Sequence, residues 1–374
     1  MKVKNLLFIG LVFILLMSCG GKEDNKIKIG AIVFLSGDAA EYGAWVKNGL
    51  ELAKDEINRK EDINFEKIEI VYEDDKSTPK EAVTAFNKMM SEFAYPIIIA
   101  GLTSSSTLSI TPLAEKNKVV LFSPCSSNPK ISSAGDYIFR NWPSDNLEGE
   151  AMARFAYNAL NIKKVAIVAL NNDYGLGLRE VFTNNFISEG GEVVYSDQIN
   201  EGQREFRTII QKLKSANIKA VYIPSHAQEC AHFIRQSKEL GYTPQFLSCV
   251  TFQSSELFKI AGNAAEGSLF TTPGFDINNN DSLVVDFRKK YNLKYNTEPE
   301  VFAAQSYDAL KIIAYVIKNY GYSSEIIKNE LYKIKNYPGV SGLTTFDSNG
   351  DVQKPVMIKK VQNGEFKVLV KSYL

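Results

Sequence analysis

Residues 97–129, which decide the fold class, read IIIAGLTSSSTLSITPLAEKNKVVLFSPCSSNP. The apolar run Ile97–Ala100 predicts a buried strand, Leu108–Lys116 a helix, and Val119–Phe122 the next strand. Strands that are apolar on both faces and separated by a helix indicate a parallel sheet covered by helices on both sides. Hydroxyl side chains follow each strand. We therefore expect both loops at the carboxyl edge of the sheet, where ligands of such sheets bind.

The same alternation of strand and helix extends outward over the chain in two series, which predicts an α/β protein with two Rossmann-like lobes. Predicted strands of the first series are Ile27–Leu35, Ile68–Tyr72, Ile97–Ala100 and Val119–Phe122, and those of the second are Val165–Leu170, Glu192–Ser196, Ala220–Ile223, Gln245–Ser248 and Gly267–Phe270. Turn-forming residues near Ser144 and at Pro273-Gly274 mark crossings between the lobes. We assign residues 27–144 and 273–338 to lobe 1, and residues 145–272 and 339–374 to lobe 2.

The first residues have the pattern of an export signal. Lys2 and Lys4 precede an apolar run, Leu6–Met17, which is too short to span a bilayer but suits a signal peptide. The junction that ends at Cys19 resembles the lipobox of bacterial lipoproteins, which implies cleavage before Cys19 and lipidation of this residue. We thus expect a lipoprotein signal peptide over residues 1–18, a tether over 19–26, and a lipid anchor at the outer face of the cytoplasmic membrane or in the periplasm. An ordinary secretory signal is the alternative.

Composition argues against several classes of partner and cofactor. Lys plus Arg equals Asp plus Glu, at 43 each, so nothing attracts nucleic acid. Besides Cys19, the cysteines are Cys125, Cys230 and Cys249, and they form no CxxC pair, so neither a metal nor another cofactor is predicted. We interpret them as small buried hydrophobic residues.

Two enzyme classes receive little support. Gly175-Leu176-Gly177 follows a predicted strand as in a dinucleotide site, but Glu180 stands at the third glycine position and would bring negative charge toward a phosphate. The histidines His226 and His232 are six residues apart and so fall on different faces of a helix. A triad formed by distant residues stays open as an alternative. We expect that the protein is not an enzyme.

The first hydroxyl-rich loop, Thr103–Thr107, stands where a helix begins. Hydroxyls at this position cap free backbone N–H groups, and a helix N-terminus carries partial positive charge. One hydroxyl suffices for a cap, whereas this loop has five, Thr103-Ser104-Ser105-Ser106-Thr107. The loop is therefore predicted to bind a carboxylate or another group rich in acceptors, in a cleft shared with the second loop, Ser123–Pro129.

Weak motifs in consistent order resemble the type I periplasmic binding proteins of the Leu/Ile/Val-binding protein family. They are Ile29-Gly30-Ala31, Leu35-Ser36-Gly37, Tyr42-Gly43, Tyr72-Glu73-Asp74-Asp75, Ser123-Pro124, Phe139-Arg140, Asp173-Tyr174-Gly175, Phe233-Ile234-Arg235-Gln236, Tyr307-Asp308-Ala309 and Gly342-Leu343-Thr344. The resemblance implies two lobes joined by three hinge crossings, which close on a small-molecule ligand and deliver it to the permease subunits of an ABC importer. A monomer is expected. A ligand-sensing module of the same fold without transport is the alternative.

The resemblance also implies which residues contact the ligand. Ser104, Ser105, the backbone at Cys125, Ser126 and Ser127 would meet a ligand carboxylate, and Tyr42, Trp142, Tyr174, Phe252 and Tyr307 would form the aromatic walls.

The sequence departs from the family where amino-acid binders hold the ligand ammonium. Val250 replaces an acidic side chain, and His226 stands in the loop that usually supplies a tyrosine. Burial of an ammonium without a counter-charge costs several kcal/mol. We therefore expect a carboxylate or amide without a free amine, while a branched-chain or other amino acid remains possible if Asp145, Asp173 or Glu229 compensates. A disulfide of the family is also absent, because Ser77 and Thr103 occupy its positions.

Overall fold

The computed structural model describes residues 26–37, 40–59 and 67–373, which form two α/β lobes. The predicted signal peptide, Cys19 and all but the last residue of the tether lie outside the described residues. No helix in the described ranges is long and apolar enough to cross a membrane.

The first lobe is built on a five-stranded sheet in the order β2-β1-β3-β4-β5, with every pair of neighbours parallel. Its strands are β1 (Ile27–Val33), β2 (Ile68–Asp74), β3 (Ile97–Ile99), β4 (Val120–Ser123) and β5 (Ile138–Arg140). The helices between them are α1 (Ala40–Arg59), α2 (Pro79–Glu92) and α3 (Ser104–Asn117). Strands β3 and β4 are wholly buried, as their apolar sequences predict.

The second lobe contains a seven-stranded sheet in the order β12-β11-β10-β9-β8-β6-β7. Its parallel strands are β6 (Lys164–Leu170), β7 (Glu192–Ile199), β8 (Ala220–Tyr222), β9 (Gln245–Ser248) and β10 (Leu269–Pro273), and its helices are α4 (Asp145–Arg154), α5 (Asp173–Ser188), α6 (Arg207–Ser215), α7 (Ala227–Glu239) and α8 (Ser255–Ala261).

An antiparallel hairpin completes this sheet, with β11 (Val356–Gln362) and β12 (Glu365–Val370). It turns at Asn363-Gly364, where both φ angles are positive, 55° and 71°. A two-residue turn of this type matches the twist of the flanking strands and favours Asn-Gly.

After β10 the chain returns to the first lobe. Helices α9 (Ser282–Tyr295), α10 (Val301–Tyr320) and α11 (Ser324–Leu331) share one hydrophobic core with the first sheet and α1. Val340, Phe346 and Val352 belong to the same core. The boundary at 338/339 stays a prediction, and this packing favours a third crossing that lies between Val352 and β11.

The carboxyl ends of the strands in the two sheets lead into loops that face each other across the crossings. Gly101, just after β3, is constrained by this arrangement, because its φ is 74° and an added Cβ would lie 2.1 Å from the Thr107 hydroxyl oxygen. The tight turn starts α3 directly at the cleft between the lobes.

Candidate ligand-binding site

A cavity of about 40 Å³ lies between the lobes. It is lined by Phe34, Tyr42, Leu102, Thr103, Ser104, Cys125, Ser127, Trp142, Tyr174, His226, Val250, Thr251 and Phe302. Most of the predicted ligand-contact residues therefore belong to the lining of this one cavity, called the cavity wall below: Tyr42, Ser104, Cys125, Ser127, Trp142, Tyr174, His226 and Val250. Their role in binding remains a prediction.

Two predicted serines lie outside this wall because their hydroxyls have other partners. The Ser126 hydroxyl donates to the Gly101 carbonyl at 2.6 Å and also contacts the Thr107 hydroxyl. Ser105 accepts a hydrogen bond from the Asp173 N–H at 3.2 Å. Ser126 thus shapes the turn between β3 and α3, and Ser105 joins the two lobes.

Two predicted aromatic residues also lie outside the wall. Phe252 packs in the core of the second lobe against Phe270, with ring centroids 5.5 Å apart. The Tyr307 hydroxyl donates to Glu56 at 2.8 Å, and its ring packs against Phe287. Tyr307 therefore stabilises the contact between α10 and α1 and does not line the cavity.

The first-lobe end of the cavity is formed by the start of α3 and the loop after β4. The Thr103 hydroxyl accepts from the Ser106 N–H at 3.2 Å and so caps the helix. The N–H groups of Ser104 and Ser105 belong to the first turn and have no acceptor within the helix. With the hydroxyls of Ser104 and Ser127, they make this end suitable for a carboxylate, which the helix dipole also favours.

Aromatic rings form the sides of the cavity. Trp142 stacks on Phe302 with centroids 5.0 Å apart, and in the second lobe Tyr174 stacks on His226 at 6.0 Å. Trp142 Nε1 and His226 Nδ1 are buried without a hydrogen-bond partner among the described residues. Buried polar atoms are normally paired, so these nitrogens are available to a bound molecule.

The lobes contact each other around the cavity, so the molecule is closed. The Tyr42 hydroxyl of the first lobe donates to the Thr251 carbonyl of the second at 2.7 Å. Glu41, next to it on α1, accepts hydrogen bonds from the hydroxyls of Ser254 and Ser255, the latter at 2.6 Å. The segment after β9 is thereby held against the first lobe.

Helix α4 carries two buried acidic side chains, one of which contacts Val250. Glu148, 2% exposed, accepts the Val250 N–H at 2.9 Å and the Thr271 hydroxyl at 2.7 Å. Asp145 is fully buried, and neither of its carboxyl oxygens has a hydrogen bond of good geometry within the described ranges.

Burial raises the pKa of both carboxyls. The pKa of Glu148 rises to about 7, although its two hydrogen bonds oppose this. For Asp145 the rise is caused by burial and by the charge of Glu148, against the smaller effects of Ser127 and Arg140. The sequence shows that these two acids are three residues apart and so lie on one face of a helix. Only the fold shows that Glu148 contacts Val250.

The other acids that the sequence offered as counter-charges lie farther out. Glu229 lines an outer groove of about 280 Å³, which shares Tyr42, Thr103 and His226 with the cavity. One of its oxygens accepts the Gly202 N–H at 2.8 Å, and the other is buried without a partner in the described part of the chain. Asp173 lines a separate surface groove, and its carbonyl accepts the Asn128 side-chain amide at 2.5 Å. No group of three or more His, Cys, Asp or Glu side chains that could hold a metal ion occurs among the described residues.

A cavity between two α/β lobes, with a polar end and aromatic sides, is typical of two-lobed solute-binding proteins. Residues 26–365 match the family model described as periplasmic binding protein, and the chain belongs to that family. The predicted fold class and family resemblance are thus confirmed.

Named relatives bind amino acids. The chain is 28% identical over 333 residues to the leucine-, isoleucine-, valine-, threonine- and alanine-binding protein of Pseudomonas aeruginosa, which covers 88% of each chain. Among solved structures, the leucine-binding protein LivK of Thermotoga maritima is 31% identical, with a TM-score of 0.85 over 91% of this chain and 97% of that one. LivJ of Streptococcus pneumoniae, solved with isoleucine, is 28% identical, with a TM-score of 0.86 over 92% of this chain and 100% of that one.

Proposed function

We propose that this protein is the lipid-anchored solute-binding subunit of an ABC importer and that it captures a small apolar amino acid between its lobes. The observation that carries the proposal is the cavity between the lobes, with the start of α3 and the hydroxyls of Ser104 and Ser127 at one end and aromatic rings along its sides. The chemistry of the first end suits a carboxylate, and the aromatic sides suit an apolar body.

Similarity to leucine-, isoleucine- and valine-binding proteins supports an amino acid over the amine-free carboxylate or amide that the sequence favours. The buried acids of α4 support the same choice, because Glu148 accepts the Val250 N–H and would place negative charge next to the cavity once an ammonium favours its ionised form. Enclosure strengthens each polar contact, so a Kd between micromolar and tens of nanomolar is expected, about −8 to −10 kcal/mol.

Native mass spectrometry of the mature protein, followed by calorimetric titration with aliphatic amino acids, tests the ligand class. We expect a copurifying amino acid and saturable binding of leucine, isoleucine or valine. Absence of binding for every amino acid at millimolar concentration would contradict the proposal.

Delivery to an importer is tested separately. Deletion of the gene should abolish uptake of the radiolabelled ligand, and a copy expressed in trans should restore it. Unchanged uptake in the deletion strain, together with retained binding by the purified protein, would favour a sensing role instead.

A further inference from the structure

We propose that Glu148, together with Asp145, provides the counter-charge for the ammonium of the ligand, in place of an acidic side chain at position 250. This inference rests on the proposed function, because it assumes an amino-acid ligand. It assigns to the second-lobe end of the cavity a specificity for the amine, complementary to the carboxylate end at α3.

The geometry places the charge directly behind the cavity wall. Val250 lines the cavity, and its N–H donates to Glu148 at 2.9 Å. Asp145 contacts the first-lobe loop that carries Ser127, because the Asp145 N–H donates to the Ser127 carbonyl at 2.8 Å. Asp145 and Glu148 therefore contact cavity-lining segments of the two lobes, and an opposite charge brought to the cavity would act on their carboxyls through a low-dielectric interior.

Among the described residues, no Lys or Arg forms an ion pair with Asp145 or Glu148. Arg140 is the cation whose charge acts on Asp145, but its guanidinium is bound by both oxygens of Asp351, at 2.6 and 2.8 Å. Buried charges are normally paired or hydrogen-bonded, and within the described ranges the Asp145 carboxyl has no ion pair and only the weak influence of the Ser127 hydroxyl. A cation supplied by the ligand would complete the pair.

Acceptors for the ammonium hydrogens are present at the same end. The Tyr174 hydroxyl lies 3.5 Å from the Thr251 hydroxyl, and both residues line the cavity. Cys249 lies beneath them, with its sulfur 3.4 Å from the Thr251 hydroxyl. These neutral groups orient the ammonium, while Glu148 and Asp145 supply the charge.

Proton release on ligand binding distinguishes a counter-charge from a purely structural role, because acids with a structural role alone would release no protons. An ammonium favours the ionised carboxyls, so binding of leucine near pH 7 should release protons from the pair, whereas 4-methylpentanoate, the same body without the amine, should release none. Calorimetry in two buffers of different ionisation enthalpy measures this directly on the wild-type protein. The other titratable groups that face Glu148, namely Tyr174, Tyr222 and Cys249, have pKa values raised by burial and stay neutral near pH 7.

The matched variants are Glu148→Gln and Asp145→Asn, with Glu150→Gln as the control on the same helix. Glu150 pairs with Arg154 at 3.1 Å at the surface, away from the cavity. In Glu148→Gln we expect leucine affinity to fall by roughly thirtyfold or more, to the level of 4-methylpentanoate, and we expect Asp145→Asn to weaken leucine in the same direction. The control should bind leucine as the wild type does.

The outcomes separate this inference from the proposed function. Equal leucine affinity in the wild type and both variants, equal weakening of leucine and 4-methylpentanoate, or the absence of proton release would overturn the counter-charge. Wild-type binding of 4-methylpentanoate without any amino acid would overturn it too, while solute capture would stand. Failure of the wild type to bind either class would instead reject the proposed function.

Discussion

Loss of the two cavity hydroxyls, Ser104→Ala combined with Ser127→Ala, is expected to weaken ligand binding by tenfold or more. Each hydroxyl lies at the end of the cavity formed by α3, where a ligand carboxylate would be buried. Removal of a donor from a buried acceptor costs roughly 1 to 3 kcal/mol. Two such losses at about 1 kcal/mol each correspond to about thirtyfold in Kd.

The double variant also has a structural cost that must be measured apart from binding. Ser104 accepts the Asn128 N–H at 3.2 Å, so its loss should lower the melting temperature slightly. Ser126→Ala is the matched control, since its hydroxyl bonds to the Gly101 carbonyl and lies outside the cavity wall. It should lower stability by about 1 kcal/mol with unchanged Kd. Titration calorimetry that gives the same Kd for the folded double variant and the wild type would refute the assignment of the carboxylate end.

Three further outcomes are expected. Cys19→Ala should convert an acylated, membrane-retained protein into an unprocessed or soluble one, and mass spectrometry that finds no lipid on the wild-type protein made in a competent bacterium would contradict the anchor. Glu41→Ala should speed ligand release in stopped-flow experiments, because it removes the bonds to Ser254 and Ser255 that hold the lobes together, and an unchanged release rate would argue against that role. Burial raises the pKa of Glu148 to about 7, so the folded protein binds this proton more tightly than the unfolded chain and loses stability as the pH rises from about 4.5 to 7. The free energy of unfolding of Glu148→Gln, compared with that of the wild type, should therefore increase by about 3 kcal/mol from pH 4 to pH 8. A difference that does not change with pH in thermal unfolding would contradict the assignment.

The fold could be predicted from sequence because its signals are local and repeated. Strands such as Ile97–Ala100 are apolar on both faces, and the hydroxyl-rich loops follow them directly. The positions of these loops therefore indicate which edge of the sheet borders the cleft. The Asn363-Gly364 turn is a similarly local signal, since few pairs adopt two positive φ angles without strain.

Side-chain direction at the site was harder to predict. Every residue of α10 from Val301 to Leu310 is buried, so no exposed polar stripe shows which side of this helix faces the cavity and that Tyr307 points away from it. Phe252 ends a short 3₁₀ turn, where neither helical nor strand periodicity fixes the direction of the ring. Glu148 was missed for another reason: its importance arises from a contact with Val250 more than 100 residues away in the chain.

The segment from Val250 to Ser255 connects the ligand cavity to lobe closure. Its first residues line the cavity, where Val250 rests on Glu148 and Thr251 accepts the Tyr42 hydroxyl. Its last residues bond to the first lobe through Glu41.

Between these ends, Gln253 accepts the Lys359 ammonium at 2.7 Å and donates to Glu300 of the first lobe. A ligand that orders the start of the segment therefore also fixes the residues that hold the lobes together. Since an ammonium beside Glu148 would act on this same segment, amine recognition and closure would depend on one set of residues. This coupling gives a physical reason why a carboxylate without the amine should bind more weakly even where its apolar body fits the cavity equally well.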